Sequence, residues 1–487
     1  MSKYTTPGIY FEPLGTTVSN LIDPLNPTIC AFIGKTQRGK VNTFERVTSW
    51  SNFIEKYAEG LSTPFYGESD LAIAVYGFFQ NGGTECHIAR VGGKGFVKAS
   101  ATEQSLTVTA NDEGAWGNKI TVSVTSTTDT VFNVVVKYDG TVVESYANIT
   151  DYATNPKRCF EEIINPNSKY IQISGTLSVA ELTLAKGADG TVSKDDYSKA
   201  FSLFDADTSV RFMAIPSITD AEIVKALSEY CAGREDVIAV IDPPKESVVS
   251  ANGYADSTQA LTAVVSYASD MLNSYTILIP AWGKIKDPNS PIASRTRFCP
   301  PCGHILGAMV RQIADKGVWI APSGLNANII GFLDISVHYT NEQVGKLNDA
   351  GIIPIVQKSN VGIVIWGART LGYASDKSDF DYLGDVCLNI QIKKLLNEAV
   401  QGFVFKPNNE ETWNGIKTAC EEKLTDLFMA GAFKSETASS AFYCKCDKDI
   451  NTDSVISEGK VLVEVGYATN KPSEFIVIQI SHDLQAV

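Results

Sequence analysis

Long apolar runs are missing from this sequence. No stretch reaches the ~18 consecutive apolar residues of a membrane-spanning helix, so membrane insertion of that kind is not expected. Basic clusters are missing too. With 41 Lys and Arg against 55 Asp and Glu, the formal net charge is −14, and a nucleic-acid partner, which requires clustered cations, is not expected. The N-terminus has no basic segment followed by an apolar one, so the expectation is a chain made and kept in a cytoplasm. Four histidines and no G-x-S-x-G elbow leave a hydrolase few bases and no recognisable nucleophile turn. Ten cysteines in 487 residues are too few for a disulfide scaffold, and Cys30 and Cys387, set in apolar runs, read as buried thiols. There is no internal repeat and no low-complexity tract.

What is present is ordinary globular material, 44% hydrophobic and 20% charged, long enough for about three domains. The pattern predicts a strand over Thr28 to Gly34, helices over Trp50 to Tyr57 and Asp70 to Asn81, and a strand over Cys86 to Val91. From Ser100 to Ser178 the chain turns Thr-, Ser- and Val-rich, with Tyr138-Asp139-Gly140-Thr141 as a hairpin signal, and reads as an inserted all-β domain. Strands Val210 to Ile215, Val237 to Ile241 and Tyr275 to Pro280 then alternate with helices Asp220 to Ala232 and Asp256 to Leu272, which implies a mostly parallel sheet. Later come strands Ile352 to Val356 and Gly362 to Trp366 and helices Leu388 to Val400 and Glu411 to Met429. Asn408 or Asn409 can cap the last helix and Gly431 can end it.

Three patterns touch on chemistry. Gly34-Lys35-Thr36-Gln37-Arg38-Gly39-Lys40 follows a strand like a phosphate loop, but Val41 stands where Ser or Thr must hold magnesium, and a tight surface turn with solvated basic residues is the simpler reading. Cys299-Pro300-Pro301-Cys302 has redox spacing, yet Cys444-Lys445-Cys446 is too closely spaced to complete a zinc site. Asp242, at a strand end, either meets a ligand or caps the next segment. No catalytic residue, cofactor or metal site is therefore predicted.

The termini carry the sharper signal. Phe475, Ile476, Val477, Ile478, Gln479 and Ile480 form a strand run close to the last residue, guarded only by Glu474 and Asp483, and an arm from Ser2 to Thr17 contains Ile9, Tyr10 and Phe11 with prolines that exclude helix. Such arms either pair within their own chain or add as strands to a neighbour.

Several segments in order resemble the contractile tail sheath family of bacteriophages and R-type bacteriocins. They are Thr5 to Tyr10, Ala31 to Gly34, Gly114 to Asn118, Gly187 to Gly190, Asp236 to Pro243, Gly351 to Ile353, Trp366 to Leu371, Phe405 to Asn409 and Pro472 to Phe475. Cys302 departs from the small polar residue expected there. The resemblance implies an α/β fold: a subtilisin-like core with an inserted β-sandwich-like domain, an α+β C-terminal domain and extended terminal arms. The corresponding divisions are 1–27, 28–97, 98–186, 187–350, 351–473 and 474–487. It further implies a structural subunit that polymerises as a helical stack of hexameric rings around an inner tail tube protein, exchanging Ile9 to Phe11 and Phe475 to Ile480 between neighbours, with baseplate and tail terminator proteins as partners. Such a subunit contracts without a nucleotide and resides in a virion tail or bacteriocin particle assembled in the host cytoplasm. An α/β hydrolase-like or nucleotide-binding enzyme is the alternative.

Overall fold

The computed structural model describes residues 28–375, 380–472 and 474. Its centre is a six-stranded sheet of β1 (Ile29–Gly34), β2 (Phe44–Val47), β3 (Cys86–Arg90), β4 (Val210–Ala214), β5 (Ile238–Ile241) and β6 (Thr276–Leu278), in the order β6-β5-β4-β1-β3-β2. All neighbours run parallel except β2, which closes one edge antiparallel to β3. β1, β3, β4 and β5 are buried along their whole lengths. That is why they read as continuous apolar runs rather than alternating ones.

Helices α1 (Leu71–Gln80), α2 (Ala221–Arg234), α3 (Ser257–Ala268) and α4 (Cys302–Lys316) belong to this body. Asp220 and Asp256 start α2 and α3 by accepting hydrogen bonds from backbone amides of the first turn. The later helices α5 (Leu383–Val400) and α6 (Glu410–Met429) share one hydrophobic cluster with the central sheet. Asn409 caps α6 by accepting from Thr412 N, while Asn408 instead accepts from the Trp413 indole. Gly431, at φ 83°, follows the α6 end in the left-handed conformation that glycine adopts without strain.

Two expected elements shift. α5 begins at Leu383 rather than Leu388, because Leu383, Val386 and Cys387 are buried in the shared core although Gly384 and Asp385 weaken the local helix signal. The strand expected over Ile352 to Val356 is Ile355–Lys358: Ile353 donates instead to Leu278 O at the end of β6, and Pro354 interrupts the run. A three-stranded sheet of Gly283–Lys286, Thr296–Cys299 and Asp334–Ile335 was not foreseen.

Between β3 and β4 the chain forms a separate β unit. A three-stranded sheet (Ser100–Glu103, Leu106–Ala110, Ile171–Gly175) and a four-stranded sheet (Ile120–Thr128, Val131–Tyr138, Thr141–Ile149, Ala180–Thr183) enclose their own core, which includes Val108, Trp116, Val122, Val134 and Ile173. The hairpin at Asp139-Gly140 has φ of 48° and 80°, the doubly positive geometry of a two-residue turn. The unit leaves and re-enters the body on paired strands, Lys94–Val97 against Ala188–Thr191.

This stem is fastened by segments that looked like isolated motifs in the sequence. Asn118 exchanges two hydrogen bonds with the Gly187 backbone, at 2.8 and 2.9 Å. Asp189 accepts from Ala115 N and from the Tyr66 hydroxyl. Gly114, at φ 125°, lies so close that a Cβ would fall 2.8 Å from Asp189 Oδ1, so only glycine fits.

Candidate functional site

The residues singled out for strand exchange, Ile9, Tyr10, Phe11 and Phe475 through Ile480, lie outside the described residues. What the structure does contain is Glu474, the residue before that run, and there it joins two of the recognised motifs. The extended segment after the strand Gly362–Ile365 carries Arg369, bridged antiparallel to Tyr382 just before α5. Gly367 permits this course, since a Cβ there would meet Pro354 Cδ at 2.6 Å. Arg369 is 4% exposed. Its Nε donates to both Glu474 carboxylate oxygens at 3.1 and 3.2 Å, Nη2 donates to Oε2 at 2.5 Å, and Nη1 donates to Asn348 O at 3.0 Å.

The guanidinium lies 3.8 Å from the Tyr373 ring centroid, and the Tyr382 hydroxyl donates to Glu474 at 3.5 Å. A planar fork on a carboxylate with an aromatic plate behind it suits arginine and would not suit lysine. Burial alone would lower the Arg369 pKa, but the Glu474 carboxylate outweighs it and holds the guanidinium above its ordinary value. In the sequence Glu474 stands both as a guard of the strand run and within the motif Pro472 to Phe475. The missed signal was the pairing of two charged motif residues that stand 105 positions apart.

Asp385, in the first turn of α5, belongs to the same corner. Burial raises its pKa to about 6, with Lys471 opposing and Asp381 adding to the rise. A folded value above the ordinary one of about 4 means that its stabilising contribution is complete below pH ~4 and is lost as pH rises through 6. Asp385→Asn, which fixes a neutral side chain, is therefore expected to stabilise the protein at pH 7.5 by about 1–3 kcal/mol and to leave it unchanged near pH 4. Melting temperatures of both proteins across that range check the sign.

Elsewhere charged groups act as ties. The turn Thr36 to Gly39 directs carbonyls, not amides, at a cation: Arg90 donates to Thr36 O, Gln37 O, Gly39 O and Glu113 O at 2.7 to 3.1 Å. This is the reverse of a phosphate cradle. The turn is also not wholly solvated as expected, because Thr36 and Arg38 are buried, while Lys35 and Lys40 reach outward to Glu68 and Glu45 at 3.4 and 2.9 Å. Asp242 is a cap. It accepts from Ser217 N and Cys302 N at 3.0 and 2.9 Å, and burial raises its pKa to about 6.

Cys299 ends a strand and Cys302 begins α4, the placement a redox pair would need, yet both are fully buried and burial pushes both thiols well up, away from the reactive thiolate. His304 is buried with neither ring nitrogen bonded, and burial lowers its pKa to about 3, so it packs as a neutral ring against Phe332. His87 is tied to Asp207 and Glu85, and His338 to Asp334. Among the described residues no cluster could hold a metal ion, and no helix is long and apolar enough to cross a membrane.

Arginines and carboxylates serve as joints in this body, and the buried clamp on Glu474 is one of them. Residues 190–371 match the family model described as the phage tail sheath protein central domain. The described residues share the fold of solved sheath proteins. The helical sheath of the anti-feeding prophage in its contracted state is 19% identical over 99% of this chain and 100% of that one, with a TM-score of 0.59. The sheath complex of an extracellular contractile injection system, PVC, in its contracted state is 18% identical over 100% and 99%, with a TM-score of 0.59. The sheath tail protein Lin1278 from Listeria innocua is 13% identical over 91% and 95%, with a TM-score of 0.63. None of the curated proteins matches. The resemblance to contractile tail sheath proteins read from the ordered motifs is borne out.

Proposed function

We propose that this protein is the structural subunit of a contractile sheath, polymerising helically around an inner tube and contracting to drive that tube through a target envelope. The carrying observation is the sheath central-domain match at residues 190–371 within a chain whose described residues share the fold of solved sheath proteins. The strand order of the central sheet, with β1 between β3 and β4, supports a subtilisin-like body, and the β unit on its paired stem supports an outward decoration. Hexameric rings, inner tube, baseplate and terminator partners, and residence in a phage tail or bacteriocin-like particle follow from the same reading.

A small sheet that arms could extend supports the arm-exchange reading. Phe442–Lys445 and Glu464–Tyr467 form a two-stranded sheet among the described residues, packed on the shared core through Phe442, Cys444, Val465 and Tyr467. Arms from neighbouring copies would complete it by adding strands. The lattice would store its driving energy at assembly, as a kinetically trapped extended state relieved by rigid-body rotation of subunits.

Negative-stain microscopy of purified protein tests the class, with long hollow striated tubes expected. A chain ending at Glu474, which lacks the strand run Phe475 to Ile480, is expected to stay folded and to form no tubes. Normal tubes from that shortened chain would refute arm exchange.

A further inference from the structure

We propose that Arg369 is an arm-positioning residue: its buried clamp on Glu474 fixes where the C-terminal arm departs from the body, and assembly between copies depends on that fixed origin. The inference rests on the arm-exchange reading and adds a named joint to it.

Ala468 makes the last described backbone ties to the body, donating to Ala441 O at 2.8 Å and accepting from Lys434 N at 3.3 Å. Beyond it Lys471 Nζ lies 6.0 Å from the Tyr382 ring centroid and Glu474 N donates to Pro472 O at 3.0 Å. Six residues of chain can reach about 20 Å, so without the clamp the arm could start over a wide range of positions. Pairing with a neighbour's strand tolerates far less. A slip of one residue, about 3.4 Å, turns every side chain to the wrong face.

Holding Glu474 removes that freedom. The holder is itself rigid: Arg369 is 4% exposed, donates to Asn348 O, stacks on Tyr373 and is bridged to Tyr382. Its acceptor has a side chain only 14% exposed and is one residue from the strand run Phe475 to Ile480. Fixing the arm's origin raises its effective concentration at the neighbouring edge without any new contact between copies. The clamp closes within one chain, so its loss should act on assembly before it acts on the fold. When Glu474 detaches, Arg369 still has Asn348, Asp349 and Tyr373, and the position Glu474 covered opens to water.

The experiment compares the parent, Glu474→Gln, Glu474→Ala and the chain ending at Glu474. Light scattering against protein concentration gives the polymerisation threshold, and thermal melting of dilute subunit reports on the fold. Both substitutions are expected to raise the threshold at least ~10-fold at temperatures where the subunit stays fully folded, with any fall in its melting temperature too small to unfold it there. A threshold equal to the parent's would overturn the clamp, as would a fall in melting temperature that accounts for the lost assembly. The shortened chain separates the two ideas, since it keeps the clamp and lacks the arm. If it polymerises like the parent, arm exchange itself fails; if it does not polymerise while Glu474→Gln assembles normally, only the clamp fails.

Discussion

Gly303→Ala is expected to yield little or no folded protein at 37 °C, because α1 and α4 cross with their backbones in contact at that residue. A Cβ on Gly303 would lie 2.0 Å from Ala74 O and 2.4 Å from Ala74 Cα, both backbone atoms that cannot swing aside. Gly307, one turn on, repeats the constraint, with Phe78 O at 2.4 Å. The reciprocal glycine is Gly77, whose missing side chain leaves the space that the His304 ring occupies at 2.2 Å. This explains why a buried imidazole with neither nitrogen bonded is tolerated: it fills a shape between Gly77 and Phe332 as a neutral ring. Overpacking a core usually costs about 1–3 kcal/mol, and moving two helices apart along a shared crossing puts this case at or above the upper end. Gly345→Ala is the control. It lies in the helix Asn341–Asp349 with nothing within 4 Å of the added methyl, and should stabilise by about 0.5–1 kcal/mol. Soluble yield and melting temperature of the two variants, measured side by side, give the contrast, and equal melting temperatures would refute the crossing argument.

Where one force dominated locally, the sequence was readable. The buried parallel strands announced themselves as apolar runs, and Asp220, Asp256 and the Asn408-Asn409 pair marked helix starts because an unpaired first-turn amide needs an acceptor. The hairpin at Asp139-Gly140 was equally plain, since few residue pairs adopt two positive φ values. Long-range choices were opaque. Nothing in Thr296-Arg297-Phe298-Cys299 says that it pairs with Gly283 to Lys286, and α5 hid its first turn behind Gly384 because the packing that stabilises it comes from distant elements. The same reason concealed the joints. A lone Arg38, Arg90 or Arg369 looks like surface charge until the fold brings carbonyls, carboxylates and rings around it. The motifs Gly114 to Asn118 and Gly187 to Gly190 were visible as landmarks, but their purpose, clasping one stem from two sides, appears only in three dimensions.

Arg38→Ala is expected to unfasten the β unit from the α/β body while leaving both cores folded. The Arg38 guanidinium lies 4.3 Å from the Trp116 ring centroid and 4.9 Å from that of Tyr170, both in the β unit. Its Nη1 donates to Glu59 O in the body at 2.9 Å, Nη2 donates to Lys169 O, and Nε pairs with Asp112 at 3.3 Å. At 4% exposed, it is a buried cation whose partners come from both sides of the junction. Truncating one member of a buried pair costs about 3–5 kcal/mol, and two desolvated ring contacts add to the loss. Arg90 keeps three of its four carbonyl partners within the body, so the stem itself should persist while the unit swivels on it. Limited proteolysis should therefore cut the variant early near residues 92–98 and 186–192, and calorimetry should split one transition into two. A single transition at the parent's temperature, with no early cleavage at those two segments, would make Arg38 a bystander and leave the junction to the stem strands.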